Sequence, residues 1–265
     1  MTSNATTFRA LHANGTLLRL PNAWDAASAR LFESVGATAI ATTSAGVAWS
    51  QGYADGYAMP IDVVLAFASN LVRVLKVPLS VDMEDGYSDD PAQVADLAAR
   101  LAGLGVAGIN LEDGRKPPEL LARKVEAIRE RLAKDGLDLF VNARTDVVLQ
   151  RLVDEGRQTE EAIARGSLYR SAGVDGLFVP GLTDPAQIQA VVAGVDLPLN
   201  LMAWGGLANA AELQALGVKR LSAGSGIPQA LWGQAAALAK DFLQAGDSSR
   251  LQGQIPYAEM QKLFS

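Results

Sequence analysis

The chain has 265 residues, with 23 Lys and Arg against 29 Asp and Glu, so its net charge is −6. Hydrophobic residues at 49% and charged residues at 20% mark a packed globular protein rather than a disordered one, and acidity without a basic cluster argues against nucleic acid as its main partner. There is no cysteine and one histidine, His12, which removes disulfides, thiolate metal sites, a catalytic thiol, Ser-His-Asp chemistry and multi-histidine metal sites.

The polar stretch Met1–Arg9 lacks the apolar core of a signal peptide, and His12, on a polar run ahead of the first strand, is expected on the surface. Short apolar runs then alternate with longer amphipathic ones. In chain order the spacing predicts strand Leu17–Leu20, helix Trp24–Val35, strand Ala37–Thr42, helix Pro60–Leu75, strand Leu79–Asp82 and helix Pro91–Leu104. It continues with strand Gly108–Leu111, helix Pro118–Lys134, strand Leu139–Asn142, helix Glu160–Ala172, strand Gly176–Val179 and helix Pro185–Val192. Strand Leu199–Met202, helix Ala208–Leu216, strand Arg220–Ala223 and helix Pro228–Gln244 complete the series. Asp90-Pro91 and Asp184-Pro185 are helix starts, and Gly36, Gly105, Gly173 and Gly217 are helix stops.

Eight strand–helix units predict a (β/α)₈ barrel in one domain, residues 1–265, with a C-terminal helical extension from about residue 228 to 265. An open doubly wound sheet would carry a glycine-rich G-x-G-x-x-G turn after its first strand, and Pro21–Trp24 does not. No apolar run approaches the roughly 20 residues that span a bilayer, so a soluble, cytoplasmic protein without a membrane partner is expected.

In such a barrel the active site forms at the C-terminal ends of the strands. Those ends read Asn22 and Asp25; Thr43, Ser44 and Gly46; Asp82 and Glu84; Glu112 and Asp113; Arg144 and Asp146; Pro180; Asn200 and Trp204; Ser222 and Ser225. Carboxylates crowded on adjacent ends repel one another unless a cation lies between them. With no thiol or imidazole cluster that cation is held by oxygen, which points to Mg²⁺, Mn²⁺ or Ca²⁺. Asp82 and Glu84, two apart, share one side of an extended strand, and Glu112 closes the next. Asp85, Asp89 and Asp90 read as solvated loop and helix caps. Tyr53 and Tyr87 are the nearby proton donors, with packing at the mouth as their expected role.

The ordered set Thr43-Ser44-Ala45-Gly46, Gly52-Tyr53-Ala54-Asp55-Gly56, Val81-Asp82-Met83-Glu84-Asp85-Gly86-Tyr87, Gly108-Ile109-Asn110-Leu111-Glu112-Asp113, Val141-Asn142-Ala143-Arg144-Thr145-Asp146 and Gly173–Gly181 resembles the isocitrate lyase/phosphoenolpyruvate mutase superfamily. The resemblance runs from about Arg19 to the C-terminus. It implies a barrel whose helix after strand eight is swapped with a neighbouring subunit, Mg²⁺, and a substrate that is a 2-oxo acid or releases one. It implies Asp82 as direct metal ligand, with Asp55, Glu84 and Glu112 around it. Ser44, Ala45 and Gly46 then form the loop that holds the substrate carboxylate, and Arg144 is the cation beside the reacting oxygens. Asn200 joins them as a substrate contact.

The lyase branches of that superfamily carry a Lys-Lys/Arg-Cys-Gly-His loop after the strand ending here at Glu112, and the mutase branch a longer gating loop; this chain has the short stretch Asp113–Pro118. The expected activity is therefore carbon–carbon cleavage or oxaloacetate-type decarboxylation of a small 2-oxo acid or dicarboxylate through a metal-stabilised enolate. A 2-oxo acid binder without turnover, and phosphonopyruvate-type P–C chemistry, are the alternatives. Ile255, Tyr257, Met260, Leu263 and Phe264 in the tail are apolar enough to mark an interface, which predicts a homodimer or homotetramer.

Overall fold

The computed structural model describes residues 3–246, 248–249 and 251–265. The first two residues of the polar N-terminal stretch, and Asp247 and Arg250 of the tail, lie outside them. In chain order the elements are α1 (Asn4–Ala13), β1 (Leu18–Leu20), β2 (Asn22–Ala23), α2 (Ala26–Ser34), β3 (Ile40–Thr42), α3 (Ser44–Ser50), α4 (Ile61–Val74), β4 (Leu79–Asp82) and α5 (Pro91–Leu104). They continue with β5 (Gly108–Glu112), α6 (Pro118–Asp135), β6 (Phe140–Arg144), α7 (Gln158–Ala172), β7 (Gly176–Phe178), α8 (Pro185–Gly194), β8 (Leu199–Met202), α9 (Ala210–Ala215), β9 (Arg220–Ser222), α10 (Gly226–Ala245) and α11 (Tyr257–Lys262).

All pairings are parallel, in the order β1-β9-β8-β7-β6-β5-β4-β3-β2. The nine segments make an eight-staved barrel, because the first stave is broken at Pro21, which has no N–H to donate. Leu18–Leu20 pairs with β9 while Asn22–Ala23 pairs with β3, so closure passes through the kink. The fold is thus the expected (β/α)₈ barrel, with the first strand divided. Aspartates do cap the predicted helix starts: Asp90 Oδ1 accepts from Ala92 N and Asp184 Oδ1 from Gln187 N. Asp25, a strand-end carboxylate in the sequence, closes a capping box with Ser28 at the start of α2.

Two helices lie where the sequence pattern showed none. One, α3, is taken up with the site below. The other, α1, plugs the N-terminal end of the barrel, burying Ala5, Phe8 and His12. His12 is therefore not on the surface: it is 4% exposed, stacked on Phe140 at 4.3 Å and edge-on to Phe8 at 4.8 Å. Its Nδ1 lies 2.8 Å from the Phe8 carbonyl. Arg220, also buried, crosses the barrel interior over Phe8 and reaches Asn110 Oδ1 at 3.2 Å.

Burial, and secondarily the Arg220 charge, lower the His12 pKa from 6.5 to about 4. A histidine whose folded pKa lies below its unfolded value stabilises the protein above about pH 6.5 and loses that contribution as the pH falls towards about 4. The loss amounts to about 3 kcal/mol. We predict that His12→Met, which fills the same space without a charge, flattens the fall in thermal stability across that window. Identical slopes in the two proteins would show that His12 takes no part.

The long α10 breaks the pattern of packed outer helices. Of its 20 residues only Pro228 is buried, and Leu231, Leu238, Phe242 and Leu243 are exposed. Trp232 near its base meets Trp24 and Trp49. Beyond it the tail returns to its own chain, where Arg30 Nε donates to the Leu263 carbonyl at 2.7 Å. Ile255, Tyr257 and Phe264 remain exposed.

Candidate active site

Strand β4 ends in Asp82 and β5 in Glu112, while β6 ends in Arg144; in register, Asp82 sits beside Asn110 and Glu112 beside Arg144. This parallel register is what brings two carboxylates and one guanidinium together at the C-terminal rim. Arg144 Nη1 lies 2.9 Å from Glu112 Oε2. Its Nε donates to Asp146 Oδ1 at 2.7 Å and its Nη2 to Asp146 Oδ2 at 3.2 Å.

The strand stops at Asp82, so Glu84 does not share its side of an extended strand. Glu84 is in the left-handed region, at φ 53°, inside a tight turn that the Gly86 N–H closes on the Met83 carbonyl at 2.9 Å. The turn brings its carboxylate under Tyr57 and Tyr87: the Tyr57 backbone N–H donates to Glu84 Oε2, and the Tyr87 hydroxyl donates to Oε1 at 3.0 Å. Tyr57 and Tyr87 also have positive φ, 65° and 59°. Three of the four such non-glycine residues among those described therefore meet at one carboxylate, and backbone strain of this kind concentrates at functional sites. Gly86 follows at φ 91°, where a Cβ would stand 2.6 Å from Val94; no other residue fits that turn.

Tyr57 is the member that sequence reasoning missed. Its hydroxyl donates to Glu112 Oε1 at 2.9 Å, so one residue bridges Glu84 and Glu112. The available signal was an aromatic residue inside the glycine-rich loop Gly52–Tyr57. Tyr53, named from the sequence instead, packs half-buried against the core as expected.

Ser44, Ala45 and Gly46 are not a loop: they are the first turn of α3. Thr43 makes no side-chain cap there, and Ser44 N donates to Asp82 Oδ2 at 3.3 Å. The amides expected to face a substrate carboxylate therefore lie beside Asp82. Gly46 is tight, since a Cβ would lie 2.7 Å from Thr43 Cγ2.

Burial pushes the Asp82 carboxyl above its ordinary value, Glu84 up to about 7 and Glu112 up to about 8, with Arg144 opposing the shift at Asp82 and Glu112. The exposed Asp55 adds to it, its charge acting on both Asp82 and Glu84. Positive charge is thus in short supply at a cluster of oxygen donors. Among the described residues no three of these groups converge into a closed cage. Carboxylate oxygens are the donor type a hard cation takes, one or two of them directly with water for the rest. Asp82, whose oxygens accept only long bonds of 3.3 and 3.4 Å from Ser44 and Glu84 amides, has the free lone pairs for it. The donor set therefore fits Mg²⁺.

Other strand-end residues have structural partners. Asn22 ties strands together through the Thr42 carbonyl and the Ala223 and Gly224 amides. Asp85 is buried rather than solvated, because Lys116 Nζ reaches it at 2.5 Å and the Lys124 amine holds its carbonyl. Asn200 is wholly buried on β8, with Ser222 at 3.4 Å from its Oδ1 and no partner at Nδ2 among the described residues. No contact joins it to Asp82 or Ser44.

The sequence pattern of the phosphoenolpyruvate phosphomutase family matches residues 8–243. An uncharacterised protein of Mycobacterium tuberculosis is 39% identical over 258 residues, 96% of this chain and 94% of that one. An oxaloacetate decarboxylase of Pseudomonas fluorescens is 28% identical over 236 residues, 83% and 78% of the two chains. Among solved structures, a candidate phosphonomutase of Burkholderia cenocepacia superposes with a TM-score of 0.86 at 38% identity, covering 90% of this chain and all of that one.

Proposed function

The chain belongs to the phosphoenolpyruvate phosphomutase family of the isocitrate lyase/phosphoenolpyruvate mutase superfamily, enzymes that are lyases and mutases, and from that premise we propose that it is a Mg²⁺-dependent lyase of a small 2-oxo acid or dicarboxylate. The observation that carries this reading is the convergence of Asp82, Glu112 and Arg144 at the ends of three neighbouring strands, beside the Ser44–Gly46 amides. Asp82 would hold the cation directly, with Glu84, Glu112 and Asp55 around it. When bound, Mg²⁺ supplies Lewis-acid stabilisation for the oxygen on which enolate charge develops.

The chain's own residues do the rest. The Ser44, Ala45 and Gly46 amides orient the substrate carboxylate. Arg144, held edge-on by Asp146, places fixed positive charge where the reaction generates negative charge, with no reorganisation at that moment. The Tyr57 and Tyr87 hydroxyls, held on Glu112 and Glu84, are the proton donors nearest the carboxylates. Decarboxylation releases CO₂ and asks mainly for charge stabilisation of the enolate, which then takes a proton at carbon to give the 2-oxo acid product, and the short Asp113–Pro118 stretch offers no thiol acid for a larger leaving group. The similarity to an oxaloacetate decarboxylase points the same way. Similarity to a candidate phosphonomutase favours P–C chemistry as a second reading. Against it, Lys116, the lysine in that stretch, is already tied to Asp85 and Asp89.

We expect oxaloacetate to be turned over and isocitrate and 2-methylisocitrate to be poor substrates. Turnover of either isocitrate at or above about 10⁴ M⁻¹s⁻¹ would mean that another acid replaces the missing thiol, and Tyr87→Phe would then identify it. We also infer a homodimer or homotetramer, in which a second copy covers α10 and the helix is exchanged between subunits. A 20-residue helix with one buried residue leaves about 30 Å of partly apolar surface in water. Light scattering on the full chain is expected to report an oligomer at micromolar concentration, and a chain ending at Gly246 to keep it if α10 alone is the contact. A monomeric full chain overturns this.

A further inference from the structure

We propose that Tyr169 and Arg165, on the outer helix α7, are positioning residues for Arg144, acting through Asp113 and Asp146. The Tyr169 hydroxyl, fully buried, donates to Asp113 Oδ2 at 2.6 Å. Arg165 Nη1 donates to the same oxygen at 2.9 Å while its Nε is held by Glu161 at 2.7 Å. Together they fix the Asp113 carboxylate, whose other oxygen accepts the Asp146 backbone N–H at 2.9 Å. Asp113 also grips the segment from its other end, its own N–H donating to the Arg144 carbonyl at 3.1 Å. One residue therefore straps the backbone on both sides of Thr145, and Asp146 projects from that strap to clamp Arg144 on two nitrogens.

The linkage is rigid for physical reasons. The Asp113 and Asp146 side chains are 0% exposed, so water cannot substitute for a lost partner and each bond is strengthened by the low dielectric. A guanidinium is planar, and two bonds to one carboxylate set the orientation of that plane. A small rotation of Asp113 is then passed to the Arg144 edge beside Glu112, and displacements of about 1 Å at a reacting group cost rate steeply. Stability alone does not need this arrangement, since apolar side chains of similar volume serve as well as buried charges. In part the inference rests on the 2-oxo acid reading above, because that reading makes Arg144 a substrate contact.

Tyr169→Phe removes one hydroxyl and keeps the ring. Two readouts separate positioning from general structure. The first needs no ligand: exchange of the Arg144 Nε–H with solvent, followed by ¹⁵N NMR and assigned by its loss in Arg144→Lys, is expected to speed up in Tyr169→Phe. The second is calorimetry with oxalate in the presence of Mg²⁺. Tyr169→Phe is expected to weaken oxalate binding about tenfold, and to have no further effect in an Arg144→Lys background. Unchanged Nε–H exchange, or losses that add in the double variant, would overturn the proposal. If exchange responds but the unmodified protein binds no oxalate, the relay stands and the 2-oxo acid reading fails. Should Tyr169→Phe not fold, Arg165→Gln cuts the same link and is read by the same two measurements.

Discussion

Asp82→Ala is expected to lower kcat/KM for oxaloacetate by roughly 10³-fold and to remove the dependence on Mg²⁺. The Asp82 oxygens are lightly engaged, each accepting only a long amide bond. It is also the carboxylate that links the Ser44 amide to the Glu84 turn. Without it, Glu84 and Glu112 stand near one another with no shared cation, both already pushed above the ordinary carboxylate range by burial. The fold itself should not suffer, since burial disfavours the ionised Asp82. The variant is therefore expected to melt at or above the temperature of the unmodified protein in the absence of Mg²⁺, and to gain nothing when Mg²⁺ is added. Unchanged Mg²⁺ affinity by calorimetry would remove Asp82 from the metal site.

Arg144→Met has the opposite signature, losing activity and stability together. The substitution takes away the cation that opposes burial at Asp82 and Glu112. It leaves Asp146, wholly unexposed, without its clamp partner. Breaking a buried pair from one side costs about 3–5 kcal/mol, and losing preorganised charge at a reacting oxygen costs about 10²–10³ in kcat. The pH dependence has a definite sign. Glu112 already has a folded pKa of about 8, above its ordinary 4.5, so its folded form holds a proton that the unfolded chain releases. Stability at this group falls as the pH rises through that interval, and removal of Arg144 raises the folded value further. The part of the Arg144→Met deficit that comes through Glu112 is therefore expected to grow as the pH rises past about 8 and to stay level from there down to about pH 4.5. Thermal unfolding of the two proteins across that range measures it; a deficit that grows on acidification would show that Arg144 does not face Glu112.

The barrel was legible because its strands are short apolar runs separated by helices with aspartate or proline starts and glycine stops. Pro91–Leu104 was read to the residue. What escaped has physical causes. The N-terminal helix α1 buries positions 5, 8 and 12, a helical spacing that shows only if His12 is counted as apolar. Its burial depends on Phe140 and Arg220, more than 120 residues away in the chain, which no local pattern contains. Helix α3 begins directly after a strand with no capping side chain. The carboxylates at positions 82, 84 and 112 were visible as charges in unfavourable company. The left-handed turn at Glu84 was not, because nothing about glutamate announces a positive φ. Tyr57 was hidden for a related reason: its role follows from where a ten-residue excursion between α3 and α4 folds, and that excursion is held by tertiary bonds to Glu84 and Glu112. Asp113 reads in the sequence only as one more strand-end carboxylate, because its partners Arg165 and Tyr169 lie some 50 residues downstream.

The most direct test of the central claim is the rate at which the purified protein converts oxaloacetate to pyruvate with Mg²⁺, with the metal chelated, and in Asp82→Ala. Turnover well above the spontaneous rate is expected with Mg²⁺, and loss of it on chelation and in the variant. Tight oxalate binding with no acceleration of oxaloacetate loss, nor of any other 2-oxo acid's, would contradict it and leave a protein that binds such acids without transforming them.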